Sequence, residues 1–488
     1  MDEDFRRAVL KEVAEGLRNE RKRMREAAEN QDFLELDAAR YVRMREAEDQ
    51  WDYDARPKRT SGFVHQAVGR LCEHTYNPGP ARTVVGDEPA RKLLEAAYKG
   101  SHIDAIMQEA ERTSTLNDVV AIQIRATGDD TAPVDLQVWG PDEFAVFEDP
   151  DDQRRVLSVV VVDRWNQRTR YRAWLPDEVV TFVTDEGVTA SASARESRRD
   201  PNPYGRLPFS FVHYSIPVRR FWTTSPGSFL KHAEANVNDA LSDLAETMLK
   251  YQRPIGIFTD VSVEFNPTVG PGRFLRLSST ESAYSGDGFS APKTPTASYL
   301  QAELQIAQAW QDIQAYLSQA AEAVDLPASS LRLDYNDAPS GVSLVIHQVP
   351  LLTRARKRRP VYQWAELQLA RAILECVGAV TGRPELVASA KTLDLLLAWP
   401  EPRIPIPGTD RDAGDLWEIQ LGIKSRVRVA QERFGLTPEQ AVAHIKQVAE
   451  EERDTTAAIA ETQRDQTRLA PGDLDGLSAD LESEETED

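Results

Sequence analysis

Five basic side chains stand together at Arg354, Arg356, Lys357, Arg358 and Arg359, and four carboxylates, Glu234, Asp239, Asp243 and Glu246, recur along an earlier helical stretch. The basic group could contact the phosphates of a polyanion, or it could pair with acids of a neighbouring helix or subunit. His65, Cys72 and His74 come nearest to a metal-ligand set. They sit in a Val/Leu helical stretch with no second pair of ligands, so packing or surface roles fit them better than zinc. No GxxxxGK[ST], GxGxxG, GxSxG, HExxH or EF-hand loop occurs, so the motifs of nucleotide, hydrolase and metal chemistry are absent and no cofactor is expected. With 79 acids in the chain, a catalytic carboxylate pair would not stand out.

The elements that must position these groups fill 488 residues, enough for about three domains with real cores. A net charge of −21 argues against a protein that holds nucleic acid or an anionic membrane tightly, because both would be repelled at long range. Eight of the acids lie in the last sixteen residues, which read as a solvated, disordered tail; removing them leaves −13, so the body is acidic in its own right. Two cysteines, Cys72 and Cys376, make no disulfide framework. The N-terminus MDEDFRRAVLKEV has no secretory pattern, and the longest apolar runs fall far short of a bilayer span, so a soluble protein made in a cytoplasm is expected.

Residues 3 to 125 read as helices, broken at Asn77-Pro78-Gly79-Pro80. From Val134 the period changes to two. Segments 134–138, 145–147, 157–162, 169–174, 179–184 and 209–214 alternate with turn formers, as an antiparallel meander would. Val237, Leu241, Leu244, Met248 and Tyr251 then step by four and three through a long helix, as do Ile306, Trp310, Ile313, Leu317, Ala320 and Val324 in a second one expected over 297–324. Between them lies a Pro/Gly-rich, β-rich insertion. A third helical region, kinked at Pro350 and Pro360, follows a polar loop, and helices are expected again at 411–433 and 438–464.

Several local patterns occur in a telling order: Asn202-Pro203-Tyr204-Gly205-Arg206-Leu207-Pro208-Phe209 before the first long helix, Asn236-Val237-Asn238-Asp239 within it, Ser340-Gly341-Val342-Ser343-Leu344 before the kinked helix, and Leu395-Leu396-Leu397-Ala398-Trp399 with Pro400-Glu401-Pro402 after it. Together they resemble the portal proteins of tailed bacteriophages over nearly the whole chain, with a weak match in residues 1 to 130 and a short clip.

The resemblance implies an α+β multidomain portal fold, mainly helical, with an antiparallel β wing, two long stem helices, a small β-rich clip and a helical crown. Its parts would be a wing at 1–225, stem helices at 226–251 and 297–325, a clip at 252–296, a tunnel loop at 326–341, a tunnel helix and wing return at 342–410, crown helices at 411–470 and an acidic tail at 471–488. It further implies no enzyme but a homo-oligomeric ring, usually a 12-mer, at one capsid vertex of the virion. Double-stranded DNA would pass through this ring during packaging and ejection. The partners would be the major capsid protein and scaffold, the terminase large subunit and a head-tail adaptor, with no membrane. Arg332, Asp334, Tyr335 and Asn336 would approach DNA, and Glu234, Asp239, Asp243 and Glu246 would face the channel. The alternatives are another phage scaffold or connector protein, or a carboxylate-dependent hydrolase.

Overall fold

The computed structural model describes residues 3–46, 48–77, 79–129, 131–165, 168–184, 194–251, 255–259, 296–300, 306–327, 341–400, 419, 425–434 and 439–450. The chain divides into two compact units, residues 1–338 with 346–403, and residues 339–345 with 404–488.

The larger unit begins with helices α1 (Glu3–Ala14), α2 (Arg21–Leu34), α3 (Gln50–Ala55) and α4 (Phe63–Cys72), followed by strand β1 (Ala81–Val85) and helices α5 (Glu88–Ser101) and α6 (Ile103–Asn117). Eight strands come next, β2 (Val119–Ala126), β3 (Val134–Trp139), β4 (Phe144–Glu148), β5 (Val156–Trp165), β6 (Arg168–Trp174), β7 (Glu178–Val183), β8 (Arg195–Pro201) and β9 (Phe209–His213). They do not form one meander. β2 is the centre of a three-stranded sheet ordered β3-β2-β9, and β4 to β8 form a separate antiparallel sheet of five.

Two of these strands fall in the stretch that reads as all helix. Val119 to Ile124 are buried without alternation, because β2 is a central strand packed on both faces, and such a run carries no period of two. β1 is an isolated ribbon partner whose mate, β12 (Asp394–Ala398), lies some 300 residues later. The sheet of five is amphipathic in two different ways. Thr169, Tyr171 and Ala173 of β6 and Val180 and Phe182 of β7 are buried, and Tyr171, Ala173, Val180 and Phe182 pack beneath Val9, Val13 and Leu17 of α1. On the reverse face Val159 and Val161 join Val119, Ala121, Trp139 and Phe209 of the smaller sheet.

Helix α7 (Gly227–Tyr251), 25 residues and so roughly 37 Å long, is followed by strands β10 (Ile255–Thr259) and β11 (Thr296–Leu300), paired antiparallel, and by α8 (Ile306–Glu322). The expected second long helix therefore does not begin at 297. Thr296 to Leu300 pair in antiparallel register with Thr259 to Ile255, and this cross-strand pairing outweighs the helical reading there. Leu230 and Ala233 of α7 share a core with Ala320, Ala321 and Val324, while Asn236 Nδ2 donates to Tyr316 Oη at 3.3 Å. Early α7 thus meets late α8, and the two run antiparallel.

Helix α9 (Gly341–Thr381) continues through both Pro350 and Pro360, then α10 (Pro384–Thr392) and β12 close the unit. Tyr362, Ala365, Leu369, Ile373 and Val377 of α9 centre the largest core, with α5, α6, β2, α10 and β12 around them. In the smaller unit, α11 (Arg426–Phe434) is capped by Ser425, whose hydroxyl accepts from Arg428 N at 3.2 Å, and residues 439–450 are helical.

α7 starts against the end of α6. A Cβ at Gly227 would overlap the Leu116 carbonyl, and Ser225 Oγ donates to that same oxygen at 2.9 Å. Replacing Gly227 by Ala should therefore force backbone separation at this joint and lower the thermal midpoint of the chain by several degrees; an unchanged midpoint would show that the joint yields freely.

Candidate functional site

Four carboxylates along α7 are spent on the segment that runs from residue 43 to residue 64. Glu234 has no exposed surface, and its two oxygens accept Gly62 N at 3.2 Å and Val64 N at 2.7 Å, capping α4 from outside. One turn on, Asn238 Oδ1 accepts Ser61 N at 2.8 Å, and Ser242 Oγ accepts Arg59 N at 2.9 Å. Beside this row, Asp239 takes Arg43 through both its backbone N and Nε, at 2.8 and 2.5 Å. Asp243 meets Arg45 and the buried Arg56, and Glu246 meets Arg45 at 2.7 Å.

These contacts give Glu234, Asp239, Asp243 and Glu246, the acids expected to face a channel, partners within the protomer, with Asp243 still half exposed. Spacings of five, four and three residues spread them over neighbouring helix faces, but local sequence does not show what covers a face. Here it is a segment nearly 200 residues earlier, rich in arginine. Burial raises the pKa of Glu234 above the ordinary carboxylate value, and the two amides and Asn238 pull it back.

The basic cluster on α9 also divides. Arg356 and Lys357 are exposed. Arg354 and Arg358 are buried: Arg354 donates to Val324 O at 3.3 Å and Tyr214 Oη at 3.1 Å, and Arg358 donates to Tyr362 Oη at 2.5 Å with its guanidinium 4.4 Å from the Tyr214 ring centre. Arg359 lies over Trp399 and donates to Pro400 O at 3.4 Å. Two of the five are thus braces holding α9 onto the body.

A counter-charge sits among them. Glu111 of α6 is 2% exposed, and burial pushes its pKa up to about 7 against the pull of Arg358 and Arg354. A second buried carboxylate, Glu366, accepts Tyr76 Oη at 2.9 Å and Arg82 Nε and Nη2 at 2.6 and 3.0 Å, and so locks β1 onto α9. Neither was singled out in the sequence, since a lone acid in a helix looks like surface.

His65, Cys72 and His74 do not converge on a metal. His65 Nδ1 contacts Leu34 O at 2.8 Å, Cys72 contacts Thr115 Oγ1 at 3.6 Å with its thiol pushed up to about 12 by burial, and the described residues contain no group of three ligands. Among the described residues no helix is long and apolar enough to cross a membrane. Arg332, Asp334, Tyr335 and Asn336 lie outside the described residues, as do most of the expected clip and the acidic tail.

No protein-family model matches the sequence, and no curated protein matches it. Among the solved structures that overlap it are two that each share 13% identity over 77% of this chain and 90% of the other. One is the virion of a native gene transfer agent particle, with a TM-score of 0.38; the other is the neck of an empty gene transfer agent particle computed with C6 symmetry, with a TM-score of 0.39. Overlap this loose does not define a shared fold.

Removing the Glu234 carboxylate should leave two buried amides without an acceptor, so Glu234→Ala is expected to cost about 1–3 kcal/mol in denaturant unfolding. A loss under a few tenths would mean the amides find other partners. Glu111 supplies a pH signature. Its folded pKa, about 7, lies above the ordinary value near 4.3, so between those values the folded state holds the extra proton and stability must fall as pH rises. Glu111→Gln should flatten that fall between about pH 4.5 and 7 in thermal denaturation, whereas parallel curves for the two proteins would rule the assignment out.

Proposed function

We propose that the chain is the portal subunit of a tailed bacteriophage, forming a ring, usually of twelve, at one capsid vertex. The observation that carries the reading is the order helix, strand, insertion, strand, helix: α7 and α8 run antiparallel, β10 and β11 pair at the root of residues 260–295, and α9 follows. Such a hairpin of helices can repeat side by side around an axis. The ordered sequence patterns at 202–209, 236–239, 340–344 and 395–402 support the same reading.

In it, double-stranded DNA passes along the ring axis, and residues 252–296 meet the terminase and later the adaptor. The major capsid protein and scaffold hold the wing. Arg332, Asp334, Tyr335 and Asn336 approach the DNA. The protein does no chemistry of its own, and a net charge of −21 keeps a passing polyanion from adhering. The α7 acids that would face the channel are already paired with arginines and amides of their own protomer.

Mass measurement and electron micrographs of the purified chain should show a closed ring with an axial hole, at a whole multiple of 54.6 kDa. A stable monomer at micromolar concentration would count against the portal reading and favour another structural role. In assembling particles, replacing Arg332, Asp334, Tyr335 and Asn336 together by Ser should reduce the share of heads that retain full genomes; normal packaging and retention would remove the tunnel-loop assignment while leaving a ring intact.

A further inference from the structure

β9 is the last strand of the sheet ordered β3-β2-β9, and its outer edge has no strand beside it. Ile124 N donates to Pro208 O at 2.8 Å and Tyr214 N to Asp118 O at 2.5 Å, and between these bonds β9 pairs with β2 residue for residue. Antiparallel alternation then turns the N–H and C=O of Ser210 and Val212 toward β2, and those of Phe209, Phe211 and His213 away from it. Among the described residues no backbone or side-chain group bonds to these three outward positions. Yet Phe209 is only 4% and His213 only 2% exposed, so the edge lies below the surface, where unpaired peptide groups are costly.

Phe209, Phe211 and His213 line a groove of about 860 Å³. Its lining is otherwise largely apolar, with Val156 and Leu157 from β5 and, four residues apart on α9, Trp364, Gln368 and Ala372. The charged side chains around it each have a counter-ion: Arg154 holds Asp152 at 2.8 and 2.9 Å, Arg155 holds Asp149 at 3.5 Å, and Arg206 pairs with Glu375. His213 Nδ1 is buried with no partner among the described residues. Burial holds the pKa of this ring down to about 4, so at neutral pH it brings no charge to the groove.

We propose that β9 takes up an extended, uncharged segment of a partner protein as a fourth strand, with apolar side chains at alternate positions. The outward peptide groups repeat every two residues, about 6.8 Å at 3.4 Å per residue, a spacing that another extended backbone matches and a compact ligand does not. A strand laid there completes the ladder and turns alternate side chains toward the apolar lining. With the charges around the groove already answered, a charged side chain on the occupant would be buried without a counter-ion. The chain's own uncharged, β-branched runs at 119–124, 157–162 and 179–183 are already paired in its sheets, so the occupant comes from another protein. This inference does not depend on the chain forming a ring.

Fluorescence anisotropy with the full-length chain tests it, using a labelled heptapeptide that alternates threonine and valine. The peptide should bind saturably, and replacing its central valine by glutamate should weaken it at least fivefold. Methylating the valine amide nitrogens in one derivative and the threonine amide nitrogens in another separates strand pairing from mere apolar capture. Alternate amides face opposite edges of an added strand, so one derivative should lose about tenfold or more in affinity and the other far less. Gln368→Trp, which fills the groove from α9, should weaken the parent peptide by about tenfold or more with an unchanged circular dichroism spectrum. Should that variant misfold, Leu157→Glu in the β5 lining should give the same loss. Equal losses for the two methylated derivatives, insensitivity to both substitutions, or release of the chain from self-association by the peptide, which would make a second copy the occupant, would each overturn the proposal.

Discussion

Glu366 has no exposed surface, and a carboxylate in that position is tolerable only where its charge and lone pairs are answered. The answers come from Tyr76 and Arg82, more than 280 residues away in the chain. That requirement ties β1 to α9, and β1 in turn pairs with β12 beyond the end of α9. The same logic recurs about two and three turns earlier on the helix, where Arg358 and Arg354 reach Tyr362, Tyr214 and Val324 O near Glu111. A helix of 41 residues with two internal prolines has weak intrinsic reasons to persist. Pinned at three charged positions and seated in the largest core, it holds its place.

The α7 face works by the same physics at the surface. Carboxylate, amide and hydroxyl oxygens at 234, 238, 239, 242, 243 and 246 receive backbone amides and arginines from a segment with little regular structure of its own. That segment between α2 and α4 is held less by hydrophobic burial than by a row of acceptors fixed on a rigid helix. One consequence is that the acidity of α7 is largely internal to the protomer. An argument from surface charge must therefore count which acids remain unanswered, not how many the helix carries.

Strands β3 to β7 and β9, helix α7 and the pairing segment β12 were legible because each carries its own period. The strands alternate or run β-branched between turn formers, and α7 has a four-three seam. What escaped was whatever depends on a distant partner. β2 lost its alternation by being central. β1 and β11 had short, weak patterns that only a mate completes, and β8, Arg-Glu-Ser-Arg-Arg-Asp-Pro, looks like loop because an edge strand need bury nothing. For the candidate site the same rule applies. The positions of the α9 arginines and α7 acids were visible, but whether a charge is a brace or a contact depends on what lies across from it.

This distinction decides what the arginines of an acidic chain of this size do. Arginines that merely balance nearby acids leave no field, and most here are of that kind: Arg43, Arg45 and Arg56 answer α7, and Arg82 answers Glu366 and Asp104. Along β6 the pairing is set by strand register. An arginine at every second position puts three guanidiniums on one face, and the only acid of β5 in register with them, Asp163, already serves two. β7 sets Val183 and Thr181 opposite Arg170 and Arg172, so these two share Asp163 of β5 instead of pairing across to β7.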